Sequence, residues 1–122
     1  IKGFLSLQSL ENASNLILPK QVGGYLDLRN LKSFENLILP NEVGINLHLD
    51  SLTSANGLVF PSYVGGYIDL RSLQSAEGLK LPYGFNLNRL KCPANVKNEI
   101  LANPDKYFME PPINEGKIKI LK

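Results

Sequence analysis

A 21-residue period runs through most of the 122-residue chain and constrains its fold more than any other feature. Pro19, Pro40, Pro61 and Pro82 fall on it, as do Gly23, Gly44 and Gly65. Shifting the chain by one period aligns Leu5, Leu26, Leu47 and Ile68 in one column and Leu7, Leu28, Leu49 and Leu70 in a second. Leu10, Leu31, Leu52 and Leu73 form a third, and Leu16, Leu37, Leu58 and Leu79 a fourth. A fixed period of this size is the mark of a solenoid, because each copy leaves an apolar edge that only the next copy can cover.

Within one copy, Tyr25-Leu26-Asp27-Leu28-Arg29 alternates strictly, which predicts a strand with Leu26 and Leu28 inward. Leu37-Ile38-Leu39 alternates again and is stopped by Pro40, whose nitrogen has no hydrogen to give to a ladder. Val43 then returns to the core. Gly23 and Gly24 predict a sharp corner before the long strand, and Asn15, Asn36, Gly57 and Gly78 predict a left-handed one, since these residue types tolerate positive φ. The segment from Leu31 to Asn36 is too short for a regular helix and reads as an arc of turn or 3-10. Copies stacked about 4.8 Å apart would form parallel ladders around a leucine spine. Each fully buried leucine contributes on the order of 1.5–3 kcal/mol.

The pattern resembles the leucine-rich repeats, with Leu26-x-Leu28 standing at the L-x-L strand of that signature. Leu10, Leu31, Leu52 and Leu73 occupy the position where the family carries asparagine or cysteine, so the usual asparagine ladder is missing. Leu16-Ile17-Leu18-Pro19-Lys20-Gln21-Val22 and Leu37-Ile38-Leu39-Pro40-Asn41-Glu42-Val43 are similar to the I-x-I-P-x-x-V element of the bacterial BspA-like subclass. The resemblance covers residues 1–83. It implies a curved solenoid that binds partners by its surface in a secreted or surface-displayed bacterial protein. A two-sheet parallel β-helix, with both L-x-L pieces as ladders, is the alternative architecture.

The expected organisation is therefore a solenoid of four turns over residues 1–83, then a degenerate last turn and C-terminal cap over 84–122. After Pro82, Leu87 reads as a strand residue arriving two positions early, with Arg89 replacing the second inward leucine. The segment Pro93–Ala102 has helical spacing, with Val96, Ile100 and Leu101 on one side, and Asn103-Pro104 ends it. Tyr107, Phe108 or Met109 is expected to cover the last leucine layer, and Ile118 and Ile120 to alternate in a final strand. The chain begins inside a turn at Ile1-Lys2-Gly3-Phe4, which suggests a truncated N-terminus or an uncapped first rung that associates with another copy.

Composition narrows the function. No apolar run approaches the roughly 20 residues that cross a bilayer, so membrane insertion is not expected. The net charge is +2, with six Lys or Arg against seven Asp or Glu in residues 1–83 and seven against four afterwards. Such a balance gives no basic stripe for nucleic acid. The single cysteine, Cys92, allows neither an intrachain disulfide nor a cysteine zinc cluster.

Candidate chemistry sits on the outward side of the long strand. Its columns run Phe4, Tyr25, Asn46, Tyr67; then Ser6, Asp27, His48, Asp69; then Gln8, Arg29, Asp50, Arg71. Alternating charges fit a solvated ladder that avoids like-on-like stacking. Tyrosine and arginine concentrated on one sheet also fit a recognition face. On that second reading Tyr25, Tyr67, Asp27, His48, Asp69, Arg29, Asp50 and Arg71 are the partner-binding candidates. His48, between Asp27 and Asp69 on a flat exposed ladder, lacks the shielding and the second histidine that a metal or catalytic site would use. Ser33, Ser54 and Ser75 read as turn caps rather than nucleophiles. Ile17, Ile38 and Val59 make an outward stripe that is either covered by another segment or an interface. No enzyme signature, cofactor motif or metal set emerges. The expected function is a non-catalytic protein-interaction module, the alternatives being a structural spacer or stalk and a carbohydrate-binding face.

Overall fold

The computed structural model describes residues 1–111. It is a parallel β-solenoid whose short strands recur once per 21-residue turn on the main ladder. In chain order the strands are β1 (Leu5–Ser6), β2 (Asn12–Ser14), β3 (Gln21–Val22), β4 (Leu26–Asp27) and β5 (Ser33–Glu35). They continue with β6 (Glu42–Val43), β7 (Leu47–His48), β8 (Tyr63–Val64), β9 (Ile68–Asp69) and β10 (Leu90–Lys91). Two helices follow, α1 (Ala94–Ala102) and α2 (Pro104–Tyr107). The strand expected around Ile118 and Ile120 lies outside the described residues.

Three ladders form the coil: β1-β4-β7-β9-β10, β3-β6-β8 and the pair β2-β5. The first carries the predicted long strand in the predicted register, Leu5 against Leu26, Leu26 against Leu47 and Leu47 against Ile68. Bonds from one turn to the next, such as Leu28 N–H to the His48 carbonyl at 2.9 Å, continue past each strand end. The inward columns close into one core in which Leu26, Leu28, Leu47, Leu49, Ile68 and Leu70 have no exposed surface. In the first turn Leu5, Leu7, Leu10, Leu16 and Leu18 are only partly buried, having a described neighbour on one side alone.

The other two faces differ from the expected strand-and-arc pattern. Leu37-Ile38-Leu39 makes only isolated parallel bridges, Ile38 to Ile17 and Ile38 to Val59, rather than a ladder, because proline follows each piece at once. Pairing resumes just after the prolines as β3-β6-β8, with Val22, Val43 and Val64 buried as expected. The segment read as a turn is a strand pair in the first two turns, β2 against β5. In the next two it is a turn, since Ser54 and Ser75 accept from the N–H two residues on, at 3.2 and 3.0 Å, and take the backbone off the ladder. Ser33 instead donates to Asn12 across the turns.

Asn15, Asn36, Gly57 and Gly78 adopt φ of 57, 54, 79 and 80°, forming the left-handed corner. The Gly23, Gly44, Gly65 column is needed for a different reason: a Cβ on Gly44 would land on the Gly23 carbonyl oxygen of the turn below, and one on Gly65 on that of Gly44.

The closing turn corrects the sequence expectation. Leu90, not Leu87, continues the main ladder, pairing with Ile68, while Lys91 pairs with Asp69. Phe85 to Leu90 spans one residue more than Val64 to Ile68, and a 3-10 turn at Leu87–Arg89 takes up the excess. The first ladder thus has five strands. Helix α1 then covers the last layer with Val96 and Ile100 fully buried, but Leu101 points away and is 59% exposed. Glu99 of α1 accepts the Ala76 N–H at 3.1 Å, and Asn95 donates to the Gln74 carbonyl at 3.1 Å, completing an arc that earlier turns complete by stacking. After α2, Phe108 bridges to Leu81, and Tyr107 is buried.

The two glycine roles are separable by substitution. Gly44→Ala is expected to lower stability by roughly 1–3 kcal/mol through a backbone clash between turns. Gly57→Ala, in open space, should cost only the left-handed penalty of about 1–2 kcal/mol, and Asn36→Gly should leave stability nearly unchanged. Thermal melts of the three variants check this; a Gly44→Ala melt equal to that of the parent would refute the close-approach account.

Candidate functional site

The outer side of the five-stranded ladder gathers all eight residues singled out in the sequence. Strand alternation puts Asp27, His48 and Asp69 in vertical register, each one turn apart. The turn that follows each strand carries Arg29, Asp50 or Arg71.

The expectation of a flat, exposed ladder fails for the aspartates. Asp27 and Asp69 are fully buried although their strands face outward. The cause is local. Arg29 folds back over Asp27, with Nε donating to Oδ1 at 3.0 Å and Nη2 to Oδ2 at 2.6 Å, while the Arg29 backbone N–H donates to Oδ1 at 3.1 Å. Gln8, from the turn below, donates to Oδ2 at 3.2 Å. Arg71 repeats the arrangement on Asp69, with Nε to Oδ1 at 3.1 Å, Nη2 to Oδ2 at 2.5 Å and the backbone N–H at 3.2 Å. A two-pronged guanidinium and a backbone donor satisfy the buried carboxylate and leave the arginine stem as its lid.

Burial pushes both carboxyls up in pKa, and the arginine hydrogen bonds and charge outweigh it, so each is held below the ordinary value of 3.8. Lys91, one turn above Asp69, adds to the lowering there. The same pairing raises the pKa of Arg29 and Arg71, which stay charged.

Between these pairs, His48 Nδ1 lies 3.7 Å from Asp50 Oδ1, and Arg71 Nη2 lies 3.5 Å from Asp50 Oδ2. Asp50 Oδ1 is buried without a hydrogen-bond partner. Donor atoms of His48, Asp50 and Asp69 fall within 4.8 Å of one another, so the group that comes together has Asp50 in place of the Asp27 considered from sequence. Arg71 already bridges its two carboxylates, so a divalent ion there would have to displace a fixed positive charge.

An aromatic strip crosses the same face. Phe4 stacks on Tyr25 with centroids 4.8 Å apart; Tyr25 meets His48 edge-on at 6.2 Å, and His48 meets Tyr67 at 5.4 Å. His48 fills the gap left by Asn46, whose side chain instead accepts the Tyr67 N–H at 3.0 Å. Lys91 Nζ caps the strip, 4.1 Å from the Tyr67 centroid. The one-residue slip in the last turn hid Lys91 and Arg89 from the sequence grid; the in-out-in run Leu90-Lys91-Cys92, read at 22 residues rather than 21, is the signal that locates them.

The second surface of interest is the Ile17, Ile38, Val59 stripe, exposed at 91, 61 and 51%. It borders a groove of about 470 Å³ between the Asn15/Asn36 corner and Pro19/Pro40. No described residue covers the stripe. Among the described residues no helix is long and apolar enough to cross a membrane. Comparison of the chain with protein-family models, with curated proteins and with solved structures yields no match.

The buried pairs set a pH response. Because the folded carboxyls lie below their ordinary value, their stabilisation is complete above about pH 4 and is lost as pH falls through the folded values. Asp27→Asn should flatten the acid limb of a melting-temperature profile recorded from pH 7 to about 2. Arg29→Ala, which leaves the Asp27 carboxylate without its main partner, should cost roughly 1–3 kcal/mol at neutral pH. An unchanged acid limb in Asp27→Asn would contradict the assignment.

Proposed function

We propose that this chain is a non-catalytic recognition module, a leucine-rich-repeat-like solenoid that binds a protein partner on the outer side of its five-stranded ladder. The observation that carries the reading is the aromatic strip flanked by arginines already held in place. Tyr25 and Tyr67 are partly buried and braced by neighbouring rings, and Arg29 and Arg71 are clamped by buried carboxylates. A partner would therefore immobilise little that is not already ordered, which lowers the entropic cost of association. Tyrosine and arginine are also the residue types that dominate binding energy at interfaces.

The likeness to BspA-like repeats agrees with surface recognition and with a secreted or cell-surface bacterial setting, both part of the same proposal. Spacer and sugar-binding roles are the competing readings, and the Phe4–Tyr25 stack is the feature that a sugar ring would use.

Selection of binders from an unbiased displayed-peptide library, followed by affinity measurement, tests the reading. Tyr25→Ala and Tyr67→Ala are each expected to weaken selected binders about tenfold or more. Binders indifferent to both substitutions would place recognition elsewhere. A glycan-array signal lost with Tyr25→Ala, without peptide binders, would favour the sugar reading, and silence in both assays the spacer.

A further inference from the structure

The ion pairs on this face are neutral in sum but not in what they show to solvent. The Asp27 and Asp69 side chains are each 1% exposed, whereas Arg29 and Arg71 are 47 and 62% exposed. Nε and Nη2 of each arginine serve the aspartate; among the described residues Nη1 of neither makes a hydrogen bond. The last turn adds Lys91 and Arg89, both exposed. Asp50 breaks the row: it lies one turn above Arg29 and one below Arg71, its side chain is 21% exposed, and its Oδ1 has no hydrogen-bond donor. Along the coil axis an approaching molecule therefore meets a cation, a weakly exposed anion, and cations again.

Resting on the recognition reading, we propose that this face takes an extended acidic peptide lying along the coil axis, with two carboxylates seated on Arg29 and Arg71 and apolar side chains against the aromatic strip. The spacing selects the conformation. Arg29 and Arg71 are two turns apart, about 9.6 Å at a 4.8 Å strand spacing. A polyproline II chain presents every third side chain on one face, about 9.3 Å apart. In a β-strand the same-face spacing is about 6.6 Å, and the third residue points to the opposite side. Polyproline II segments also dock on aromatic-lined surfaces at low entropic cost. The two residues between the acids cross the turn of Asp50, whose side chain is 21% exposed, so a further negative charge at that level is disfavoured. That interruption disfavours a polyanion with a charge at every step, such as a nucleic acid strand.

Fluorescence anisotropy with labelled proline-rich peptides tests the proposal. One peptide carries two glutamates three residues apart, a second carries them adjacent, a third replaces them with glutamine; a single-stranded oligothymidylate and a sulfated oligosaccharide complete the set. The spaced acidic peptide should bind about tenfold or more tighter than the other two peptides and than either polyanion, and should weaken as salt is raised. The Asp27→Asn/Arg29→Gln double variant removes the cation without stranding a buried carboxylate and should abolish the preference. Arg89→Gln/Lys91→Gln, which holds no buried charge, keeps the test available should the first variant melt early, and should weaken binding by a smaller factor. Equal binding of the spaced and adjacent acidic peptides, or tighter binding of either polyanion, overturns the proposal. Failure of every acidic peptide alongside neutral or basic displayed-library binders sensitive to Tyr25→Ala overturns it while leaving the recognition reading intact; a library with no binders removes both.

Discussion

The structure depends on one constraint: a single 21-residue turn cannot bury its own leucines. Leu26 and Leu28 have no exposed surface because Leu5 and Leu7 lie below them and Leu47 and Leu49 above. Hydrogen bonds along the same direction, such as Leu26 N–H to the Asn46 carbonyl at 2.9 Å, satisfy the backbone as the core forms. Every other feature is subject to that stacking distance. Glycine must stand where Gly44 approaches Gly23, because a Cβ has no room there, and a residue that accepts positive φ must stand at the corner, because the backbone turns left-handed there.

Much of this was legible in the letters. Period, inward columns, the left-handed corner and the helix over Val96 and Ile100 all follow from residue types whose preferences are local or repeated. What escaped had two sources. The arc from Leu31 to Asn36 and its counterparts take two forms on nearly the same spacing, because a serine hydroxyl competes with the ladder for backbone N–H groups in some turns and not in others. The last turn gained one residue, and a fixed period cannot see an insertion that a 3-10 turn absorbs.

The candidate site was legible as a set of residues but not as an environment. Alternation correctly put Asp27 and Asp69 on the outer side, and outer was equated with exposed. The arginine two positions on is long enough to close over the carboxylate, a relation that burial patterns based on strand alternation do not encode. The outcome is a surface whose acidic members are hidden and whose basic members are held still. His48 and Asp50, in the middle turn without such a pair, make contacts between turns instead, His48 with the Tyr25 and Tyr67 rings and Asp50 with Arg71.

The Asp27–Arg29 and Asp69–Arg71 pairs also bear on how such a coil can lengthen or shorten. Each buried charge is neutralised by a residue of its own turn, two positions away in the chain. Duplication or deletion of a whole turn therefore carries the counter-ion with the ion, and orphans no carboxylate in the wall. A turn built like the middle one, where Asp50 leans on Arg71 of the next, lacks that self-sufficiency. The gene for such a protein could gain or lose turns of the first kind at little electrostatic cost, whereas the middle turn is tied to the turn above it.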